Sequence, residues 1–302
     1  MMENKKIPVI FDSDIGADID DTWALCHLLR SPELELIYAV SAEGDTTYKA
    51  ALMAKILDKA GHGDVPVGVG IESGPDQYQQ KEWLGSYTLD DYPGKVYADG
   101  VDGIIKAVRE ADGVVTYIVI GPMLNIGKAI EKAPDIAEKI KIVGTLGSIY
   151  RSFEPDSICP EYNIRCHTKE SQAAVTAVKD VFLVSLDSTF DLCLDGERYQ
   201  RLLAKRETDK YMKIIMDNFD VWMVAMNSTY YKTQSTILFD CAAVYGAYAD
   251  EWLDTVELPI YLDDEGYTRI DPEKGKPMKC TKGWKDREAF YDHLTARLLG
   301  EE

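Results

Sequence analysis

Residues 8–25 read PVIFDSDIGADIDDTWAL and place five carboxylates, Asp12, Asp14, Asp18, Asp20 and Asp21, within ten positions. The apolar run IPVIF before them has strand length, and DDTWALCHLLRS after them has helical spacing. Asp12 and Asp14 alternate at the end of the expected strand, so their side chains share one side of it. Gly16 allows a sharp turn. Asp20 and Asp21 open the helix, where the helix dipole favours negative charge, and Asp18 reads as a loop or capping acid. An acidic turn at the carboxyl end of a strand is where open α/β sheets bind ligands.

The same alternation continues outward. LELIYAVSA, DVPVGVG, VVTYIVIG, KIKIVGTLG and DVFLVSLD read as buried strands. TTYKAALMAKILDKAG, the face Val101/Ile104/Ile105/Val108, MLNIGKAIEKA and KESQAAVTAVK read as the helices between them. Apolar strands spaced by helices predict an α/β fold, a doubly wound, mostly parallel sheet flanked by helices. From residue 197 the pattern is mainly helical, with a strand pair near TVELPIYLDDEGYTRID. Residues 71–100 and 149–163 are long, irregular stretches that suggest functional loops. No repeat or linker divides residues 1–302, so a single domain is expected.

The chain of 302 residues has 33 basic and 52 acidic side chains, a net charge of −19. Such a surface repels polyanions, which excludes nucleic acid and anionic membranes as natural partners. Six scattered cysteines without a CxxC pair fit a reducing compartment. The N-terminal segment lacks the long apolar core of a signal peptide, and no run reaches the ~18 apolar residues of a membrane span. These features point to a cytoplasmic protein.

Two carboxylates ~4 Å apart repel by roughly 1 kcal/mol in water and about 4 at an effective dielectric of 20. A crowded set therefore needs protons or a cation. Without His or Cys among the acids, a hard cation with oxygen ligands is expected, Ca²⁺ or Mg²⁺. Capping acids on a solvated turn would explain Asp18 and one of Asp20 and Asp21, but not an acid pair directly after a buried strand. An EF-hand fails, because Ala17 and Trp23 stand where its loop needs Gly and Glu. A haloacid-dehalogenase-type phosphatase also uses D-x-D after its first strand, but Ile15-Gly16 departs from its pattern and Asp20-Asp21 has no role there.

The turn resembles the D-x-D-x-G-x-D-D fingerprint of the inosine-uridine nucleoside hydrolase family, in a branch with two extra residues before Asp20. VIGPMLNIGKAI (119–130) resembles the family's T-G-P-L-T-N-I-A segment, IVGTLGSIY its M-G-G segment, PEYNIRC its E-F-N segment and LFDCAAV its late H-D-x-x-A-V segment. The resemblance implies a nucleoside hydrolase-like fold and a Ca²⁺ ion that holds the nucleophilic water and two ribose hydroxyls, with Mg²⁺ a poorer fit. It implies Asp14, Asp21, Asp240 and the Ile120 carbonyl as ligands, and Asp14 as general base. Asp20, Glu161 and Asn163 would bind ribose, and Asp45 stands near a position that contacts ribose. Asp12, Leu146 (in the M-G-G-like segment), His167, Phe239, Trp83 and Trp222 are secondary candidates. Tyr87, Tyr230 and Tyr231 are further aromatics that could stack on a base. Read without the resemblance, Asp240 can be a helix cap, Glu161 and Asn163 loop polars, and each aromatic a core residue.

The family usually carries His before its late Asp, to protonate the departing base; here Phe239 stands there. His167 replaces a frequent Asp beside the sugar-binding loop, and Asp45 replaces a frequent Asn. The leaving group is thereby left open. Three activities remain: hydrolysis of ribonucleosides, hydrolysis of another N-riboside, or ribose binding without turnover. The resemblance also implies a homo-oligomer, a dimer or tetramer.

Overall fold

The computed structural model describes residues 5–154, 157–229 and 232–301. The acidic turn leaves β1 (Ile7–Ser13), whose residues alternate between two cores: Val9 and Phe11 face one, Ile10 the other. β2 (Leu34–Ser41), β3 (Val67–Gly68) and β4 (Val96–Tyr97) follow on one side of β1. β5 (Val115–Val119), β6 (Ile140–Thr145) and β7 (Asp180–Val184) follow on the other. β8 (Leu253–Leu262), β9 (Thr268–Ile270) and β10 (Lys276–Trp284) complete the sheet among the described residues. The order is β4-β3-β2-β1-β5-β6-β7-β10-β8-β9. It is parallel through β10, and β8 and β9 add an antiparallel edge.

Helices cover both faces, as a parallel sheet requires. On one face lie α1 (Asp20–Arg30), α2 (Thr46–Ala60), α10 (Lys210–Ala225), α11 (Phe239–Tyr248) and α12 (Arg287–Leu299), around Trp23, Met53, Phe219 and Val244. On the other lie α4 (Gly100–Glu110), α5 (Leu124–Lys132) and α7 (Thr168–Ala177), around Ile104, Ile126 and Ala174. α9 (Gly196–Ala204) adds Tyr199 and Leu202 to the first face, and α3 (Lys81–Leu84), α6 (Tyr162–Arg165) and α8 (Leu186–Thr189) are four-residue connecting pieces. The ends of α2 follow local rules: Asp45 accepts from Tyr48 N at 2.9 Å, and Gly61 closes the helix with φ +82°. α1 has no side-chain cap, and its first turn carries Asp20 and Asp21.

The doubly wound sheet and the late strand pair agree with the sequence pattern. Two strands do not announce themselves there. β4 is two residues long, inside the irregular stretch 71–100. β10 (KPMKCTKGW) carries three lysines and a proline, yet it inserts between β7 and β8. Among the described residues, no helix is long and apolar enough to cross a membrane.

Candidate active site

The chain runs from β1 outward to β4, then returns across β1 to β5 and runs the other way. The carboxyl ends of β1 and β5 therefore flank the topological switch point, where such sheets open a crevice. A cavity of about 570 Å³ lies there. Asp14, Asp18, Asp20, Asp21, Asp240 and Glu161 line it together with Ile120 and Asn163.

Backbone geometry brings the acids close. Gly16 has φ +101°, and a Cβ there would meet the Tyr48 ring at 2.9 Å. A Cβ on Gly121, directly after Ile120, would lie 2.8 Å from the Asp14 nitrogen. These two glycines let the β1 turn settle against α2 and the end of β5. Carboxylate oxygens of Asp20, Asp21 and Asp240 lie within 4.8 Å of one another, all on buried residues. Ser13 Oγ donates to Asp21 at 2.6 Å, and Thr145 Oγ1 donates to Asp240 at 2.7 Å. Oδ2 of Asp20 is buried and receives no hydrogen bond.

The sugar-side candidates are fixed by backbone donors. Glu161 accepts from the nitrogens of Asn163 (2.8 Å), Gly147 and Ile164 (both 3.3 Å). Asn163 Nδ2 donates to the Ile120 carbonyl at 3.1 Å and the Thr145 carbonyl at 3.0 Å, which ties the ends of β5 and β6 together. Beneath the cavity, wholly buried Asp12 accepts from Tyr117 Oη at 2.5 Å and from Asn125 Nδ2 at 3.0 Å.

Burial dominates the protonation of these groups, and like charges add to it. Asp12 rises to about 7 and Glu161 to about 7, both chiefly by burial against opposing hydrogen bonds. Asp14 rises to about 6, by burial first, with the Lys49 charge opposing it and Glu43 and Asp18 adding to it. Asp20, Asp21 and Asp240 are pushed well above the usual carboxylate range, again by burial first and then by neighbouring carboxylates: Asp240 acts on Asp20, Asp14 on Asp21 and Asp21 on Asp240. Acids so placed take up protons or a cation. The unbonded Asp20 oxygen and an all-oxygen donor set fit a hard divalent ion, and the tight trio holds Asp20 where the resemblance implies Asp14.

The opposite wall is apolar and aromatic. Phe153 meets Phe239 edge-on, with centroids 6.1 Å apart, and Trp222 and Met226 complete the wall. Trp222 Nε1 donates to the Ala17 carbonyl at 3.1 Å and so locks α10 to the acidic turn.

Other candidates lie outside the cavity lining. Asp45 caps α2 and accepts from Tyr78 Oη at 3.0 Å. His167 Nε2 pairs with Ser73 Oγ at 3.0 Å, Trp83 carries the Lys55 ammonium over its ring, and Leu146 is buried in the core of the α4/α5 face. Tyr87 packs against the opposite core. Tyr230 and Tyr231 lie outside the described residues.

The sequence reading passed over several residues at this site. Gln77, Gln79, Phe153 and Tyr162 line the cavity from the irregular stretches. Glu43, buried at φ +57°, accepts from Tyr162 Oη at 2.9 Å. Lys49 is wholly buried and donates to the Asp14 carbonyl at 2.9 Å. Its signal was present: it shares the i, i+3, i+4, i+7 face of α2 with Leu52, Met53 and Ile56.

A switch-point cavity with oxygen ligands at one end and aromatic walls at the other defines an α/β protein that can hold a hard cation beside a small polar ligand. The model of the inosine-uridine preferring nucleoside hydrolase family matches residues 9–292, and the chain belongs to that family of N-ribosyl hydrolases. A probable uridine nucleosidase 1 of Oryza sativa is 28% identical over 200 residues, 63% of this chain and 61% of that one. The chain thus matches about three fifths of the rice protein's length. A pyrimidine-specific ribonucleoside hydrolase RihA of Enterobacter sp. (strain 638) is 28% identical over 97% of each chain. The solved purine-preferring ribonucleoside hydrolase from Gardnerella vaginalis superposes with a TM-score of 0.79 at 26% identity, covering 97% of this chain and 98% of the other.

Proposed function

We propose that the protein is a Ca²⁺-dependent hydrolase that cleaves the N-glycosidic bond of ribonucleosides to ribose and free base. The observation that carries this reading is the gathering of Asp14, Asp20, Asp21 and Asp240 in one cavity with Ile120, Glu161 and Asn163. Asp14, Asp21, Asp240 and the Ile120 carbonyl would hold the ion. Four protein oxygens, two sugar hydroxyls and a water suit the larger shell of Ca²⁺ better than that of Mg²⁺. Bound there, the ion supplies a water of lowered pKa and a clamp for vicinal hydroxyls.

Asp14 accepts the proton of the attacking water as its oxygen bonds to C1′ and the C1′–N bond breaks. Asp20 accepts a hydrogen bond from a ribose hydroxyl. Glu161 and Asn163, held rigid by backbone contacts, grip the sugar toward its 5′ side. Positive charge grows on the ribose ring as the bond breaks, and the surrounding carboxylates stabilise it. The base lies against Trp222, Phe153 and Phe239. Stacking there favours the larger ring of a purine, which takes the electron pair of the C1′–N bond and can leave neutral with a proton drawn at N7 from solvent, without a histidine.

Turnover with Ca²⁺ of inosine, guanosine, adenosine, uridine and cytidine tests this. Hydrolysis of one or more, lost on chelation, is expected; no turnover of any refutes it. Activity confined to other N-ribosides, or ribose binding without hydrolysis, would select the two other readings left by Phe239. A homo-oligomer, dimer or tetramer, in the cytoplasm completes the proposal, and light scattering tests the assembly.

A further inference from the structure

Lys49 takes no part in the reaction above, yet it is a wholly buried ammonium on α2 beside the acids. Its Nζ donates to the main-chain carbonyl of Asp14 at 2.9 Å, so the charge is anchored to the turn that presents Asp14. Its field reaches both Asp14 and Asp21, opposing the effect of their burial. Burying an ammonium is costly unless nearby anions compensate it. Leu52, Met53 and Ile56 on the same face are apolar, so packing alone would be served by Met or Leu at this position.

We propose that Lys49 is a positioning residue and internal counter-charge that limits the affinity of the acid site for its divalent ion. The proposal rests on the reading that such an ion binds among Asp14, Asp21 and Asp240. A fixed positive charge repels a doubly charged ion twice as strongly as it would a singly charged one. It also offsets one of the crowded carboxylates when the ion is away. The site then releases and rebinds its ion rather than sequestering it, and the net charge left around the ribose stays small.

Calorimetric titration of metal-free protein with Ca²⁺ alone tests this. Lys49→Met is expected to bind Ca²⁺ at least tenfold more tightly than wild type, whereas Lys49→Arg stays within about threefold. Should Lys49→Met not accumulate as folded protein, Lys49→Gln carries the same comparison, because it keeps a donor for the Asp14 carbonyl without the charge. Equal or weaker binding by the neutral variant overturns the proposal, as does equal tightening by Lys49→Arg. A wild type that takes up no Ca²⁺ overturns the metal reading itself, and the Lys49 proposal with it. A purely structural lysine would weaken binding when removed; only a repelling charge strengthens it.

Discussion

Asp12 makes the stability of the metal-free protein depend on pH in a calculable way. The group is wholly buried, and its pKa rises from an ordinary 3.8 to about 7, by burial first, against hydrogen bonds from Tyr117 and Asn125. In the unfolded chain it ionises near 3.8. Between those values the folded protein holds a proton that the unfolded chain has released, so stability falls as pH rises through that window. At ~1.4 kcal/mol per pH unit, the three-unit span amounts to about 4 kcal/mol, fully present below pH 4 and gone above pH 7. That is a large part of the 5–15 kcal/mol of a typical domain. The net charge of −19 also weakens the protein at high pH through self-repulsion, so wild type alone cannot isolate the effect. Asp12→Asn can: it mimics the protonated acid in shape, it can donate to Tyr117 Oη and accept from Asn125, and it does not titrate. Urea unfolding in chelator at pH 4 to 8 should show wild type losing about 4 kcal/mol more than Asp12→Asn across the range. Parallel profiles for the two proteins would refute the reasoning.

Asp14→Asn should lower kcat by about 10²- to 10⁴-fold on the best nucleoside, the usual worth of a general base. Wild type and Asp12→Ala should both leave p-nitrophenyl phosphate unhydrolysed; Mg²⁺-dependent hydrolysis by wild type that is lost in Asp12→Ala would instead mark a phosphatase. Ca²⁺ at a hundred times its Kd should stabilise the protein by about 2.7 kcal/mol, read as a rise in Tm at pH 8 that Asp240→Ala abolishes. Thr145→Val should leave buried Asp240 without its 2.7 Å donor and weaken folding in chelator by about 1–3 kcal/mol in urea titrations at pH 8.

The fold was legible because parallel strands buried on both faces read as apolar runs, and the helices between them repeat on a 3.6-residue period. β10 was not, since its lysines mark an edge-like strand, and its place beside β7 is settled by tertiary pairing. At the site, the turn declares itself through local density: Asp14, Asp20 and Asp21 lie within one short loop and its helix. Asp240 is silent by that criterion, and only the resemblance of LFDCAAV pointed to it. Phe153, Gln77 and Gln79 come from stretches without periodicity, where no local rule tells a wall from a surface. Asp45 shows the opposite case: helix-capping chemistry accounts for its position at the start of α2 and leaves it outside the cavity lining. Glu43, left-handed and buried two residues earlier, holds Tyr162 instead.

Asp20 and Asp21 open the first long helix, whereas Asp240 sits near the start of α11, late in the polypeptide. During synthesis the N-terminal acids emerge long before their partner, and a ribosome must finish most of the chain before the trio can assemble. Until then the early strands carry an unbalanced knot of negative charge, which protons or the Lys49 ammonium must offset. Maturation of the centre is thus tied to completion of the chain, and a truncated product lacking α11 would have seven of the ten strands but only Asp20 and Asp21 of the trio.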